Sequence, residues 1–262
     1  MMYLKDYMFQ LLSDGKYFFT KREILSKLSI NEQQFKYQAY RLAQKKMIRR
    51  LVRDFYMIIP AEHSHMGGLP PHWIIDHLMK FLGQDYYIAL LSAASIYGST
   101  HQQPMVFQVI TTHPSRNIKL ERSCIEFHSF KECSLAAREQ ISSPTGYANI
   151  STKEQTMIDL VRFYNACGYL SNCAGVIKDL AQECDDAAFK KVIQKESNNS
   201  VLQRLGYILE LTEHNKLSIL IANELSKRNI QQISLRPDLR DKAGTYNERF
   251  KLIINDEVEL EE

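Results

Sequence analysis

Two capped helices leading directly into an arginine-bearing hairpin, between residues 18 and 60, constrain this chain more than any other feature. Phe18 and Phe19 lead to Thr20, and Glu23 follows three residues later. That spacing makes a capping box, in which hydroxyl and carboxylate satisfy amides that a helix start leaves free. It predicts a short helix from Lys21 to Leu28 that buries Ile24, Leu25 and Leu28. Ser29-Ile30-Asn31 is a tight turn whose Asn31 can cap the next helix, about 32–46. Phe35, Ala39, Leu42 and Ala43 fall on one face of that helix and are expected to pack inward. From Met47 to Pro60 the residues are β-branched, aromatic and basic, with a turn near Arg53-Asp54 and a proline stop, which predicts a hairpin. Ahead of all this, Leu4, Met8, Leu11 and Leu12 recur at helical spacing and Asp14-Gly15 ends the run. Helix, helix, turn, helix and hairpin is the order of a winged helix-turn-helix.

The outward side of residues 32–46 carries Gln33, Tyr37, Tyr40 and Gln44, flanked by Lys36 and Arg41. Amide, phenol and cationic groups can hydrogen-bond base edges and phosphates, whereas a merely solvated face more often pairs Glu with Lys. In a winged helix the third helix enters the major groove and the hairpin lies along the backbone. The DNA-binding candidates are therefore Lys21, Gln33, Lys36, Tyr37, Tyr40, Arg41, Lys45, Arg49, Arg50 and Arg53. Charge agrees: residues 1–60 hold 12 Lys and Arg against 5 Asp and Glu, a net +7, and the remainder is −4. A basic head on a mildly acidic body suits a polyanion partner. The alternatives at this point are a solvated cluster of cations and a winged helix used for protein contacts.

Gly and Pro punctuate His63 to Pro71, which places the boundary there. The expected division is 1–60 as winged helix-turn-helix, 61–84 as linker and connecting helix, and 85–262 as a C-terminal domain. Residues 72–82 and 85–97 read as apolar helices, 105–111 as a strand, and 117–120 and 123–130 as its neighbours. Ser151-Thr152-Lys153-Glu154 reads as a capping box opening another helix. Further helices are expected near 172–183, 186–195, 200–212 and 216–228, with a last strand at 249–254. The fold class is thus α+β: an N-terminal winged helix-turn-helix, then a mixed α/β domain with a small sheet and several helices.

Catalytic motifs are not found. No G-x-S-x-G, Walker A loop, G-x-G-x-x-G or H-E-x-x-H occurs. Gly98-Ser99 resembles the opening of a nucleotidyltransferase site, but Thr100 to Met105 supplies no carboxylate pair and the next acid is Glu121. Gly98 then reads as a helix C-cap. His63, His65, His72 and His77 match no zinc spacing, and Cys124 with His128, or Cys133, lacks a third group, so no metal and no cofactor is expected. Asp159 and Arg204 read as satisfied structural polar residues within apolar helices. Five cysteines without a C-x-x-C pair suggest reduced thiols and a cytoplasmic protein. No stretch approaches membrane-spanning length and no secretory leader is expected, so no membrane association is foreseen.

Several segments in register resemble the AbiEi antitoxin family of bacterial abortive-infection systems. They are Tyr86-Tyr87-Ile88-Ala89-Leu90-Leu91-Ser92-Ala93-Ala94 with its small-residue turn at Gly98, Thr152-Lys153-Glu154-Gln155-Thr156-Met157-Ile158-Asp159, Arg204-Leu205-Gly206-Tyr207-Ile208-Leu209-Glu210, and Tyr246 to Asn255. The resemblance runs over about 20–256 and departs from the family at Asp54, where a turn glycine is common, and at Gln155, where arginine is usual. It implies a winged helix at Thr20–Lys46 with its wing at Ile48–Ile59 and repression of the protein's own operon through promoter inverted repeats; the missing catalytic motifs, for their part, lead us to expect no enzymatic activity. The resemblance also implies antagonism of a nucleotidyltransferase-like toxin that does not need a stable complex. The alternative is a winged-helix regulator whose C-terminal domain senses a ligand or mediates assembly, with no toxin partner.

Overall fold

The structure, a computed structural model, describes residues 3–99 and 105–260. Its chain divides into two compact units. The first comprises Met1–Tyr87, Met105–Ser134 and Gln140–Asn149; the second comprises Ile88–Pro104, Leu135–Glu139 and Ile150–Glu262.

The first unit opens with α1 (Leu4–Ser13), β1 (Phe18–Thr20), α2 (Lys21–Leu28), α3 (Glu32–Gln44), β2 (Ile48–Val52) and β3 (Phe55–Ile58). The Thr20 hydroxyl accepts from the Glu23 amide at 3.1 Å and starts α2. Asn31 and Gln34 cap α3 reciprocally, each side chain accepting from the other's amide at 2.9 and 3.0 Å. The strands form an antiparallel sheet in the order β1-β3-β2, with Phe19 opposite Tyr56 and Arg50 opposite Tyr56 on the other side. Asp54 turns the hairpin with φ +63, a left-handed conformation that aspartate tolerates better than most residues. Leu4, Met8, Leu11, Ile24, Phe35, Ala39, Leu42 and Ile58 close one core under the three helices. Ala43, expected to face inward, is exposed, because the contact stripe of α3 is only as wide as Phe35, Ala39 and Leu42.

After a 3-10 turn at Ala61–Met66 come α4 (Pro71–Leu82) and a six-stranded sheet, most of which lies in this unit. Its strands are β4 (Tyr86–Ile88), β5 (Val106–Thr111), β6 (Ile118–Lys119), β7 (Cys124–Ser129), β8 (Arg138–Ser143) and β9 (Gly146–Ser151), in the order β6-β7-β5-β4-β9-β8. β5 and β7 run parallel over six residue pairs, and β6 turns back antiparallel on β7. The expected helix over 85–97 is divided: Tyr86–Ile88 is a buried strand between β5 and β9, and only Leu90–Ile96 is helical (α5). A short apolar run has no period to separate a central strand from a buried helix.

The second unit holds α5, α6 (Lys153–Arg162), α7 (Tyr169–Gln182), α8 (Asp186–Lys195), α9 (Asn199–Leu211) and α10 (Asn215–Leu225). It also holds a sheet of β10 (Ile233–Ser234), β11 (Thr245–Asn247) and β12 (Leu252–Ile254) in the order β10-β12-β11. Thr152, not Ser151, is the N-cap of α6 and accepts from the Gln155 amide at 3.3 Å. Ser151 ends β9, its hydroxyl 2.7 Å from that of Thr156. The closing strand begins three residues later than expected, since Arg249 to Lys251 form a turn that inserts Phe250 into the core beside Gly206.

Candidate nucleic-acid interface

The capping box at Asn31 fixes the rotation of α3, and burial of Phe35, Ala39 and Leu42 decides which side faces out. Gln33, Lys36, Tyr37, Tyr40, Arg41, Gln44 and Lys45 are all exposed. Tyr37 and Tyr40 are 62% and 64% exposed, a large solvated aromatic area for a helix that also packs a core. The Arg41 guanidinium lies over the Tyr37 ring at 5.6 Å, which holds cation and ring as one surface.

The hairpin divides the three arginines. Arg50 is exposed on β2 and faces the Tyr56 hydroxyl, whose proton burial holds more tightly than in an ordinary phenol. Arg53 stands at the tip with its side chain 95% exposed, 3.7 Å from the Asp54 carboxylate. Arg49 is half-buried: Nη1 donates to the Gly67 carbonyl at 3.3 Å and Nη2 to the Lys119 carbonyl at 2.7 Å. Lys21 is likewise committed, its ammonium 2.8 Å from the Glu32 carboxylate at the start of α3. The structure therefore gathers the α3 residues with Arg50 and Arg53 as solvent-facing groups, and gives Lys21 and Arg49 intramolecular partners.

Lys5 is a cation that the sequence pattern does not single out. With Arg41 and Lys45 it lines a groove of about 240 Å³, also bounded by Tyr3, Asp6, Gln38 and Leu42. The Leu4 amide donates to the Gln38 side chain at 2.8 Å and ties the start of α1 to α3. Helical spacing in α1 marks its apolar stripe only, so this neighbour had no sequence signal.

The other candidates have structural surroundings. His77 Nε2 lies 2.8 Å from the Thr145 carbonyl with its ring on Phe18, and the His63 ring meets Trp73 edge-on. His72 is pushed toward its neutral form by burial, and His65 sits in the 3-10 turn. Cys133 is buried with its thiol toward the Ile110 carbonyl, Cys124 is half-buried, and His128 lies 3.5 Å from Glu126 on the same strand. Among the described residues no cluster of three or more His, Cys, Asp or Glu side chains could hold a metal. Asp159, fully buried, accepts from Gln155 Nε2 at 3.0 Å. Arg204 donates to the carbonyls of Leu235 and Ser234 at 2.9 and 3.0 Å and so fastens α9 to the β10 segment. Gly98 ends α5 at φ +78, the Ser99 amide reaching the Ala94 carbonyl and the Gly98 amide that of Ser95. Thr100 to Pro104, in the loop weighed for a carboxylate pair, lie outside the described residues.

Residues 87–211 match the family model described as the AbiEi antitoxin C-terminal domain. Among solved structures, the crystal structure of the RV2827C protein from Mycobacterium tuberculosis is similar, with a TM-score of 0.64 at 13% identity over 94% of this chain and 89% of that one. At that identity the likeness concerns the fold alone. No curated protein matches the chain significantly.

Proposed function

Because residues 87–211 match the AbiEi antitoxin C-terminal domain, we propose that this chain is an antitoxin that also binds DNA and represses its own operon. Residues 1–60 act as the winged helix-turn-helix, 61–84 as the connection, and 85–262 as the antitoxin domain. The observation that carries the DNA-binding half is the solvent-facing set Gln33, Lys36, Tyr37, Tyr40 and Arg41 on one side of α3, in a module whose hairpin exposes Arg50 and Arg53. Glutamine and tyrosine can read base edges in the major groove, and the cations exchange counterions for phosphates. Lys45 and Lys5 extend the same charge along the groove beside α3. Each half-site of a promoter inverted repeat would take one such module.

The antitoxin half acts against a toxin of nucleotidyltransferase type, without requiring a stable complex. It is a regulatory role with no catalytic step and no cofactor, carried out in the cytoplasm. Among the described residues no helix is long and apolar enough to cross a membrane. Two measurements test the proposal. The purified chain should shift its own promoter fragment at concentrations that leave a scrambled duplex free. Co-expression with the product of the neighbouring gene should restore growth that this product alone arrests. Equal binding to both duplexes would refute the repressor role, and unrelieved arrest would refute the antitoxin role.

A further inference from the structure

We propose that Arg49, Lys46 and Glu121 form a clasp that sets the pose of the arginine hairpin: Arg49 positions the hairpin instead of touching DNA, and Glu121 competes with DNA phosphate for Lys46. The inference rests on the DNA-binding reading above.

The two halves of the clasp come from distant parts of the chain. Arg49, on β2, bridges two carbonyls on separate segments, Gly67 at 3.3 Å and Lys119 at 2.7 Å. A planar fork can do this; a lysine ammonium, a single point donor on a flexible stem, reproduces it poorly. Lys46, held at φ +54 where α3 turns into β2, places its ammonium 2.9 Å from a Glu121 carboxylate oxygen. The Lys46 contact holds the Glu121 carboxyl below the usual carboxylate range, with Arg49 and Arg122 adding to it. Glu121 lies across Gly67, whose φ of +69 and missing Cβ both matter, since a Cβ there would run into the Glu121 side chain. Beneath the polar contacts is an apolar seam in which Gly68 lets Met57 of β3 approach closely, with Leu120 in ordinary contact beside it. Met57 and Leu69 are buried at 0% and 2% exposure.

This arrangement has two consequences. The cation count at the hairpin available to phosphates is smaller than the sequence suggests, because Arg49 is occupied and Lys46 is shared. The segment 119–121 also belongs to the stretch that matches the antitoxin domain, whereas Lys46 and Arg49 belong to the N-terminal module. A ligand or partner that shifts the turn between β6 and β7 changes the hairpin's pose, and DNA that engages Lys46 loosens that turn in return.

The test measures promoter-duplex affinity against salt for the full chain and for Arg49→Ala, Arg49→Lys and Glu121→Gln. Hydrogen exchange of the amides at 67–69 and 119–121 is followed in the same proteins without DNA. Arg49→Ala and Arg49→Lys are both expected to weaken binding several-fold while leaving the salt slope unchanged. Glu121→Gln is expected to steepen the slope by about 0.9 and to tighten binding at low salt, as one more cation reaches a phosphate. Exchange at both segments should quicken in Arg49→Ala. A slope that flattens by about one in Arg49→Ala and recovers in Arg49→Lys would overturn the positioning role. An unchanged slope in Glu121→Gln would overturn the competition, and unchanged exchange would overturn the clasp itself. Absence of duplex binding by the wild type would instead refute the DNA reading, with the exchange data still deciding whether the clasp holds.

Discussion

Replacing Arg50 and Arg53 together with alanine removes the two hairpin arginines that face solvent, and its expected effect can be worked out before the experiment. A cation that neutralises one phosphate contributes a slope of about 0.9 to the dependence of log affinity on log salt. Raising salt from about 50 to about 200 mM then costs each such contact roughly 3.5-fold, and two contacts roughly 12-fold. The affinity deficit of the double variant relative to wild type should therefore shrink by about 12-fold across that interval, with the slope reduced by about 1.8. Folding should be nearly untouched, since surface substitutions away from special features stay within about 0.5 kcal/mol. Fluorescence anisotropy with a labelled promoter duplex at several salt concentrations reads the affinity, and thermal unfolding checks the fold. A deficit of equal size at every salt concentration would refute phosphate engagement by the hairpin. A deficit confined to the promoter and absent on scrambled DNA would mean that the arginines read bases.

Other perturbations test the parts around that surface. Tyr37→Phe and Gln33→Ala should change which duplex is preferred, by about 1–3 kcal/mol of discrimination at one base pair, with the salt slope retained; parallel losses on all sequences would refute base readout. Gly206→Ala should destabilise the chain by about 1–3 kcal/mol in urea unfolding, because the new methyl meets the buried Phe250 ring. Combining it with Phe250→Leu should recover part of that loss, and strict additivity would show that the two sites are not in contact. Asp238 accepts from Arg236 and from the Tyr164 hydroxyl, and those bonds hold its carboxyl well below the usual carboxylate range. Its pKa is lower folded than unfolded, so its contribution is complete above the unfolded value of 3.8 and is lost as pH falls below it. Asp238→Asn should therefore flatten the fall of stability below about pH 4, and an unaltered acid limb would refute the pairing.

The sequence alone determined the elements whose signals are local. Thr20 and Asn31 were legible as N-caps and the structure starts α2 and α3 there, although the box expected at Thr20 is half formed, because the Glu23 carboxylate accepts from the Tyr7 hydroxyl at 3.1 Å. Phe35, Ala39 and Leu42 settle which side of α3 is buried, and with it the outward position of Tyr37 and Tyr40. The turn at Arg53-Asp54 was legible because that charged pair separates two runs of β-branched and aromatic residues. Of the segments that carry the family resemblance, those between residues 87 and 211 lie in the stretch that matches the family model.

Tertiary structure decided what depends on distant neighbours. Tyr86–Ile88 carries the aromatic and β-branched residues that strands favour, but with an apolar helix continuing directly from it, only β5 and β9 on either side decide that it is a strand. The polar hairpin β8–β9 lacks the apolar alternation that would announce a half-buried strand. The roles of the basic residues divided in the same way. Arg49, Arg50 and Arg53 are equivalent as letters, yet carbonyls at Gly67 and Lys119, the latter 70 residues away, occupy the first and leave the tip arginine to solvent. Lys5 joined Arg41 and Lys45 only through the packing of α1 on α3. A hydrogen bond or a salt bridge is a short-range interaction, so its partners are fixed by where the folded backbone brings them and not by their spacing along the chain.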